Sequence, residues 1–396
     1  MFEHRFPFLL LLFAGTLCSS MIVPFMGFFL VESLGHKPWI LSCYSLMAVS
    51  LTVLVNRQFA KQIDSGSRAF PLVGVAAFGY MIAVAALSLS PTLWVALSFG
   101  VAGFGVGSSA TSTMFSLGGE VARKLNIERS SFNAHMRATT STAWMIGPAL
   151  TFLIAEHLGT GVVFNTALLI SVLWVVLWWR VLPRSISAEV QQLTDDTGTA
   201  SNMNIDLWLA AAFVFCLSLA HAITFSSLPL FYVQEVGLPG FAPGLAFSVK
   251  TFVEVIAIFS TPMIIKKFGM WPALLVTTLL AATTIQVLAM VQSMPEMLIG
   301  AALEGLYYGL YASLGISYLQ SFAEDRPARA TAIYWNTLMV SGLLGGPLVG
   351  FTAQIYDFQT AIRAASGIAV LAIMVLVVGR RKRGPHVRET AGRRDV

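Results

Sequence analysis

Charge is scarce in this chain. Only 11% of its 396 residues are Asp, Glu, Lys or Arg, where a soluble domain carries about 25%. No stretch between the long apolar runs is wide enough to hold a sizeable soluble domain. Cysteine is almost missing as well. Cys18, Cys43 and Cys216 fall inside apolar runs, with neither metal-ligand spacing nor a disulfide framework, so they read as small buried hydrophobes. There is no Walker A loop, no nucleophile elbow and no metal-spaced His/Asp cluster outside the apolar runs. No catalytic residue, cofactor or metal is therefore expected, and the energy for any work comes from an ion gradient or from a substrate. The run Gly103-Phe104-Gly105-Val106-Gly107 looks like a nucleotide fingerprint, but no strand precedes it. Close helix packing is the better reading.

Hydrophobic residues make up 56% of the chain. They fall into twelve stretches long enough to cross a bilayer, at roughly 20 residues per crossing. The stretches are 7–31, 38–55, 69–89, 91–118, 131–156, 161–182, 207–232, 241–265, 271–291, 297–321, 329–355 and 359–379. The first continues past Cys18 to Val31, too long for a signal peptide, and reads as a first span. The fold class expected is an all-α membrane protein of twelve transmembrane helices.

Basic residues orient the chain. With both termini in the cytoplasm, twenty of the twenty-four Lys and Arg residues lie on that side, including Arg57, Lys61, Arg68, Arg123, Lys124, Lys266, Lys267 and seven in the tail. This is the positive-inside pattern. The basic tail 380–396 reads as a contact with anionic lipid and not with nucleic acid. The longest polar stretch between spans, 183–206, divides the chain into six-helix halves at 1–182 and 207–379. A weak internal match supports a repeat: Gly147-Pro148 and Gly346-Pro347 are offset by 199 residues, and the same offset sets Arg137 against Asn336. Halves related in this way are common among transporters.

Within the fifth span, Asn133, Arg137, Thr140, Ser141 and Trp144 share one helical face. Hydroxyl-rich ligands suit such a stripe, with the indole covering C–H groups. The alternative is a structural arginine. Arg137 lies about nine ångströms from the cytoplasmic end at 1.5 Å per residue, within snorkelling reach. Glu254 lies near the middle of the eighth span, where a carboxyl that loads and releases a proton would serve an antiporter. Lys250 stands one turn away. Either it snorkels outward and leaves Glu254 as the proton site, the reading favoured here, or the two form a static bridge. A further hypothesis pairs Arg137 with Glu254 in one transport state. On the tenth span, Glu304, Tyr307, Tyr308 and Tyr311 share a face that reads equally as a carbohydrate or cation surface and as interfacial aromatics. Tyr334 and Asn336 are weaker candidates. His135 and His221 could titrate, but each reads first as a hydrogen-bonded structural histidine.

Several segments resemble a known family. Six spans, a longer loop and six spans is the layout of the major facilitator superfamily. Its loop two–three signature is similar to AKQIDSGSR (60–68), with Asp64 matching directly and Gly66 and Arg68 after one deletion. Ala60 and Ser65 depart from it. The segments 130–150, 237–245, 253–259, 264–269 and 326–332 resemble the bacterial sugar efflux transporter family, most specifically in MRATTSTAWMIGP (136–148). The resemblance implies proton-driven export of sugars or glycosides from a bacterial inner membrane. Arg137, the Ala143-Trp144 pair and Gly147-Pro148 match its span-five motif, and Glu254 matches its span-eight glutamate. Glycines of the related multidrug antiporter signature are absent. The expectation is a sugar or glycoside exporter working by alternating access, exchanging protons, in contact with membrane lipid and monomeric. Substrate would contact Asn133, Arg137, Thr140, Ser141, Trp144, Tyr307, Tyr308, Tyr311 and Asn336. Proton coupling would involve Glu254, Arg137, Lys250 and Glu304, and gating Asp64, Arg68, Gly147, Pro148, Gly346 and Pro347. A multidrug/proton antiporter of the same fold is the alternative. A transporter-like sensor or membrane-embedded enzyme lacks both an output domain and a catalytic cluster.

Overall fold

A computed structural model describes residues 5–187, 205–322 and 327–381. Residues 188–204 of the predicted linker, Arg326 of the 326–332 turn and the tail beyond Arg381 lie outside the described residues. A chain in lipid has no water to satisfy its backbone, and its apolar runs form helices because helices bond internally. Among the described residues there are twelve long helices. In the first half they are α1 (Arg5–Ser33), α2 (Trp39–Asp64), α3 (Ala69–Leu89), α4 (Leu93–Lys124), α5 (Arg129–Leu158) and α6 (Thr160–Val181). In the second they are α7 (Ile205–Glu235), α8 (Ala242–Phe268), α9 (Met270–Leu288), α10 (Met294–Gln320), α11 (Pro327–Ile355) and α12 (Phe358–Arg381).

Eleven of these helices are long and apolar enough to span a membrane. The other, α10, has 27 residues. Glu296, Glu304 and four tyrosines lower its hydropathy, and Glu304, Tyr307, Tyr311 and Tyr318 are buried inside the protein and away from lipid. Several helices overrun the predicted spans. The α2 helix continues through Lys61, and α4 through Arg123 and Lys124. Glu120 bridges both cations on α4, with Lys124 at 3.2 Å, and basic residues suit the last turn of a helix.

Both halves pack by one scheme. The α1 helix lies against α5 and α6 as α7 lies against α11 and α12, and α3 meets α4 and α6 as α9 meets α10 and α12. The ends of α1 and α7 repeat one device, a π turn at Phe29–Ser33 and at Phe231–Glu235. Each turn is followed by a left-handed glycine, Gly35 at φ +69° and Gly237 at φ +76°. Gly147 packs on Ser20 of α1, and Gly345 packs on Ala222 of α7. By this packing the counterpart of Gly147 falls one residue before the Gly346 suggested by the sequence match. The glycine run on α4 serves close contact, with Gly103 against the Gly79 carbonyl of α3 and Gly105 against Leu51 of α2.

The halves meet through α5 with α8 and through α2 with α11. The joining contacts cluster at the end of the bundle away from the α2–α3 and α8–α9 loops. Ser248 Oγ donates to Met145 O at 2.6 Å, Ser42 Oγ to Pro347 O at 2.9 Å, and Gln234 Nε2 to Glu32 Oε2 at 2.6 Å. Glycines bring the backbones together there: Gly244 faces Pro148 and Ala149, and Gly350 faces Pro38 and Ser42. Toward the other end the facing stripes emerge into the open. Arg137 and Ala138 on α5 are exposed, as are Phe259 and Met263 on α8 and Trp335 on α11. The bundle is thus sealed at one end and cleft at the end that carries the basic loops.

A leucine in place of Gly350 should pry the seal apart, because a Cβ there already meets Pro38 O and the Ser42 backbone. Labelling of an S42C variant by a membrane-impermeant maleimide should be several-fold faster when Gly350→Leu is added. Equal rates would show that this glycine does not hold the seal.

Candidate functional site

The cleft has two unlike walls. On the α5 side, the residues that touch α8 (Met145, Pro148 and Phe152) continue inward as Ser141 and Arg137 at helical spacing. Arg137 is exposed, while Asn133, Thr140, Ser141 and Trp144 are half-buried. Thr140 spends its hydroxyl on Arg137 O at 2.9 Å. Arg137 lies within electrostatic reach of Tyr334 on α11, whose hydroxyl donates to Ala312 O at 3.2 Å. Asn336 is exposed nearby on α11. His135 ties α5 to α1 through Arg5 Nη1 at 3.2 Å, and its Nδ1 lies 2.7 Å from Ser131 O.

The other wall hides a cluster of ionisable groups between α7, α8 and α10. Lys250 Nζ lies 3.6 Å from Glu254 Oε2, 4.6 Å from the Tyr308 ring and 5.5 Å from the Phe225 ring. An ammonium held by a carboxylate and two ring faces keeps favourable contacts away from water. Lys250 is buried, with 6% of its surface exposed. The expected outward snorkelling is therefore not what this state shows: the side chain runs between α7 and α10, where partners await it. Glu254 keeps 20% side-chain exposure and forms the rim of the cluster. Behind it, His221 stacks on Tyr308 with ring centroids 3.8 Å apart and shares a hydrogen bond with Tyr307 at 3.0 Å. Its Nδ1 also lies 3.7 Å from Glu304 Oε1. That separation is too long for a hydrogen bond, and Glu304 Oε1 has no hydrogen-bond partner.

Two glycines place this cluster. Gly305 packs on the Lys250 carbonyl and Gly309 on that of Glu254. Spaced by four, they let α10 approach α8 at the two charged positions. The α10 face read as a possible carbohydrate surface is largely turned inward. Tyr307 and Tyr311 are buried. Tyr311 donates to Val214 O at 2.8 Å and meets Ser218 Oγ at 2.6 Å. Only Tyr308 of the three retains partial exposure. Arg137 and Glu254 stand on neighbouring helices, yet in this state Glu254 has Lys250 as its partner. Sequence reasoning undervalued His221 and missed Phe225; both lie on one face of α7, at i and i+4. Arg68 forms an isolated antiparallel bridge with Ser187 outside the helices, and Asp64 ends α2.

Comparison with known proteins fits this frame. The Major Facilitator Superfamily model matches residues 8–292 and 210–395. The chain belongs to the Major Facilitator Superfamily. Among curated relatives it is similar to Sugar efflux transporter B of Salmonella typhimurium, at 24% identity over 89% of both chains. It is also similar to Sugar efflux transporter C of Escherichia coli, at 23% identity over 93% of this chain and 94% of that one. In structure it resembles the nucleoside transporter NupG, with a TM-score of 0.80 at 12% identity, covering 96% of this chain and 99% of that one. At that identity the likeness speaks for the fold. This superfamily member is a multi-pass bacterial inner-membrane transporter, and within the superfamily its similarity runs to the sugar efflux transporters.

The Lys250–Glu254 pair allows a double-mutant test. Lys250→Met and Glu254→Gln should each destabilise the protein by about 3 kcal/mol by leaving a charge unpaired, and the double variant by clearly less than the sum. Denaturant unfolding in detergent reads the coupling. Additive losses would mean that the two groups do not sense one another.

Proposed function

We propose that this transporter exports sugars or glycosides in exchange for protons, by alternating access of its two halves, with both termini in the cytoplasm. Division of labour between the cleft walls carries the reading. One wall offers a polar stripe of exposed Arg137 and half-buried Asn133, Thr140, Ser141 and Trp144, with Asn336 across from it. The other holds Lys250, His221 and Glu304 beneath the partly exposed Glu254. The first suits a polyol, whose hydroxyls take hydrogen bonds and whose C–H face takes an aromatic ring. The second suits a proton, because a buried charge persists only when paired. Positive loops at the open end support a cytoplasm-facing state, ready to load substrate for export. Similarity to the sugar efflux transporters supports sugar as cargo.

In this mechanism, a bound sugar bridges Arg137 on α5 and groups on α8 or α11 and draws the open end together. The glycine contacts at the sealed end give way in turn. In one transport state ionised Glu254 leaves Lys250 for Arg137, the cation that α5 can bring to it, and protonation of Glu254 or arrival of substrate breaks that pair. Gly147, Pro148, Gly346 and Pro347 are the flexible and close-packing points of the rocking helices, with Asp64 and Arg68 at the loop that moves with α2. Exposed Phe259 and Met263 on α8 favour the second reading, a multidrug/proton antiporter, because they add apolar surface to the same cleft.

Counterflow of labelled lactose, glucose and arabinose in proteoliposomes tests the reading. At least one sugar should exchange, and an imposed pH gradient should drive its net movement. Flux of a lipophilic cation with no sugar exchange would transfer the assignment to the drug exporter. Arg137→Ala should cut sugar counterflow by roughly tenfold or more, the equivalent of about 1.4 kcal/mol. Glu254→Gln should abolish the response to pH; full pH-driven flux in that variant would remove Glu254 from coupling.

A further inference from the structure

The cluster contains one lysine and two carboxylates. Lys250 neutralises Glu254 at 3.6 Å, which leaves Glu304 with His221, at 3.7 Å, as its basic partner. Glu304 and His221 are 3% and 8% exposed. A buried site of this kind is stable when its charges cancel. The Glu304–His221 pair is neutral overall with one proton, whether the proton sits on the carboxyl or makes the imidazole a cation. Without it, one negative charge is left unpaired inside the bundle.

The groups facing Glu304 can be named helix by helix. From α7 come His221 and Tyr232, from α8 Lys250 and Glu254, and from α10 itself Tyr307 and Tyr308. Tyr334 marks the α11 side farther inward, and α9 carries no Asp, Glu, Lys, Arg or His. Of these, Tyr232 is set apart. It is 1% exposed, its hydroxyl has no hydrogen-bond partner, and the same is true of Glu304 Oε1. A cavity of about 10 Å³ lies between α7, α8 and α10, lined by Tyr232 and Glu304 and otherwise by Leu228, Pro229, Pro243, Ala246 and Phe247. A void of that order is the least that holds one water, which also needs two or more polar partners. Glu304 and Tyr232 supply two. Tyr232 sits in the π turn of α7, just before the exposed Gln234 and Glu235 at the sealed end.

We infer that Tyr232 and a water bound in this cavity form the proton route from the sealed end to Glu304, and that the Glu304–His221 pair stores the single exchanged proton. The inference rests on the proton-exchange reading above. Each transfer forms one O–H or N–H bond and breaks another. The proton enters from solution beyond Gln234 and Glu235, passes Tyr232 and the water, and adds to the pair. It leaves by way of Glu254 at the rim of the cleft. Sealing the halves at this end does not block the route, since the path runs within the second half. Sugar and proton thus have separate doors.

Oriented proteoliposomes with a pH-sensitive dye and labelled sugar test this. Tyr232→Phe removes one hydroxyl and little else. It should slow proton movement driven from the sealed-end side by tenfold or more, while sugar counterflow, which needs no net proton transfer, is retained. Proton release to the cleft side should be unaffected, a sidedness that a merely structural role would not produce. Glu304→Gln should eliminate pH-driven flux from both sides. The stoichiometry in the parent protein should be one proton per sugar. Parent-like proton entry in Tyr232→Phe, with Glu304→Gln impaired, would overturn the route. Full pH-driven flux in Glu304→Gln would overturn the store. Sugar exchange indifferent to pH in the parent protein would instead sink the proton-exchange reading on which both depend.

Discussion

An ammonium ion at membrane depth must be neutralised where it lies, and Lys250 organises the second half of this protein around that requirement. Its partners come from three helices: Glu254 one turn along α8, the Phe225 ring on α7 and the Tyr308 ring on α10. For these to reach it, α10 must approach α8 closely, and Gly305 and Gly309 permit this at the two charged positions. Once α10 is that near, Glu304 is carried into the interior as well. Tyr307 and Tyr311 then turn inward and satisfy their hydroxyls on His221 and on the α7 backbone. A single buried cation thereby determines helix spacing, tyrosine orientation and the residual proton demand of the site.

Among the described residues, the first half has no such buried cluster. Its distinctive charge, Arg137, stands exposed on the stripe that α5 presents to the cleft. The repeat gives both halves the same helix packing and the same π-turn ends, yet their chemistry differs. In the proposed exchange this asymmetry would give cargo and proton different walls, which communicate through the movement of α5 against α8. The contacts at the sealed end are mostly close backbone approaches across glycine, with serine hydroxyls donating to the Met145 and Pro347 carbonyls. Such contacts depend on shape more than on charge. They can separate without stranding an ion in lipid.

Much of this was legible in the chain itself. Apolar runs located twelve helices, because lipid forces each to satisfy its own backbone. Exceptions are instructive. The α10 helix is not among those apolar enough to count as spans by length and composition, and the Glu304 and tyrosines that lower its hydropathy are largely those the fold buries. Helix ends extended past the expected boundaries where charged, amphipathic turns such as 119–124 continue into water. The polar stripe of α5 followed from helical periodicity alone, and so did the shared face of Glu304, Tyr307 and Tyr311, though not the direction that face points.

Sequence alone determined the membrane class, the six-plus-six layout, the glycine-proline pairs and the residues that carry charge into the bilayer, because hydropathy and helical period are local properties. Tertiary structure decided the partners. Whether Lys250 turned outward or inward depended on rings from α7 and α10, far away in the chain. His221 became part of a buried ionisable cluster only when Glu304 and Tyr307 were brought against it. Which end of the cleft is closed rested on contacts between α5 and α8 and between α2 and α11, more than 90 residues apart in sequence. Pairing energies act through space at a few ångströms, so only the packed helices could choose among the partners that the sequence made available.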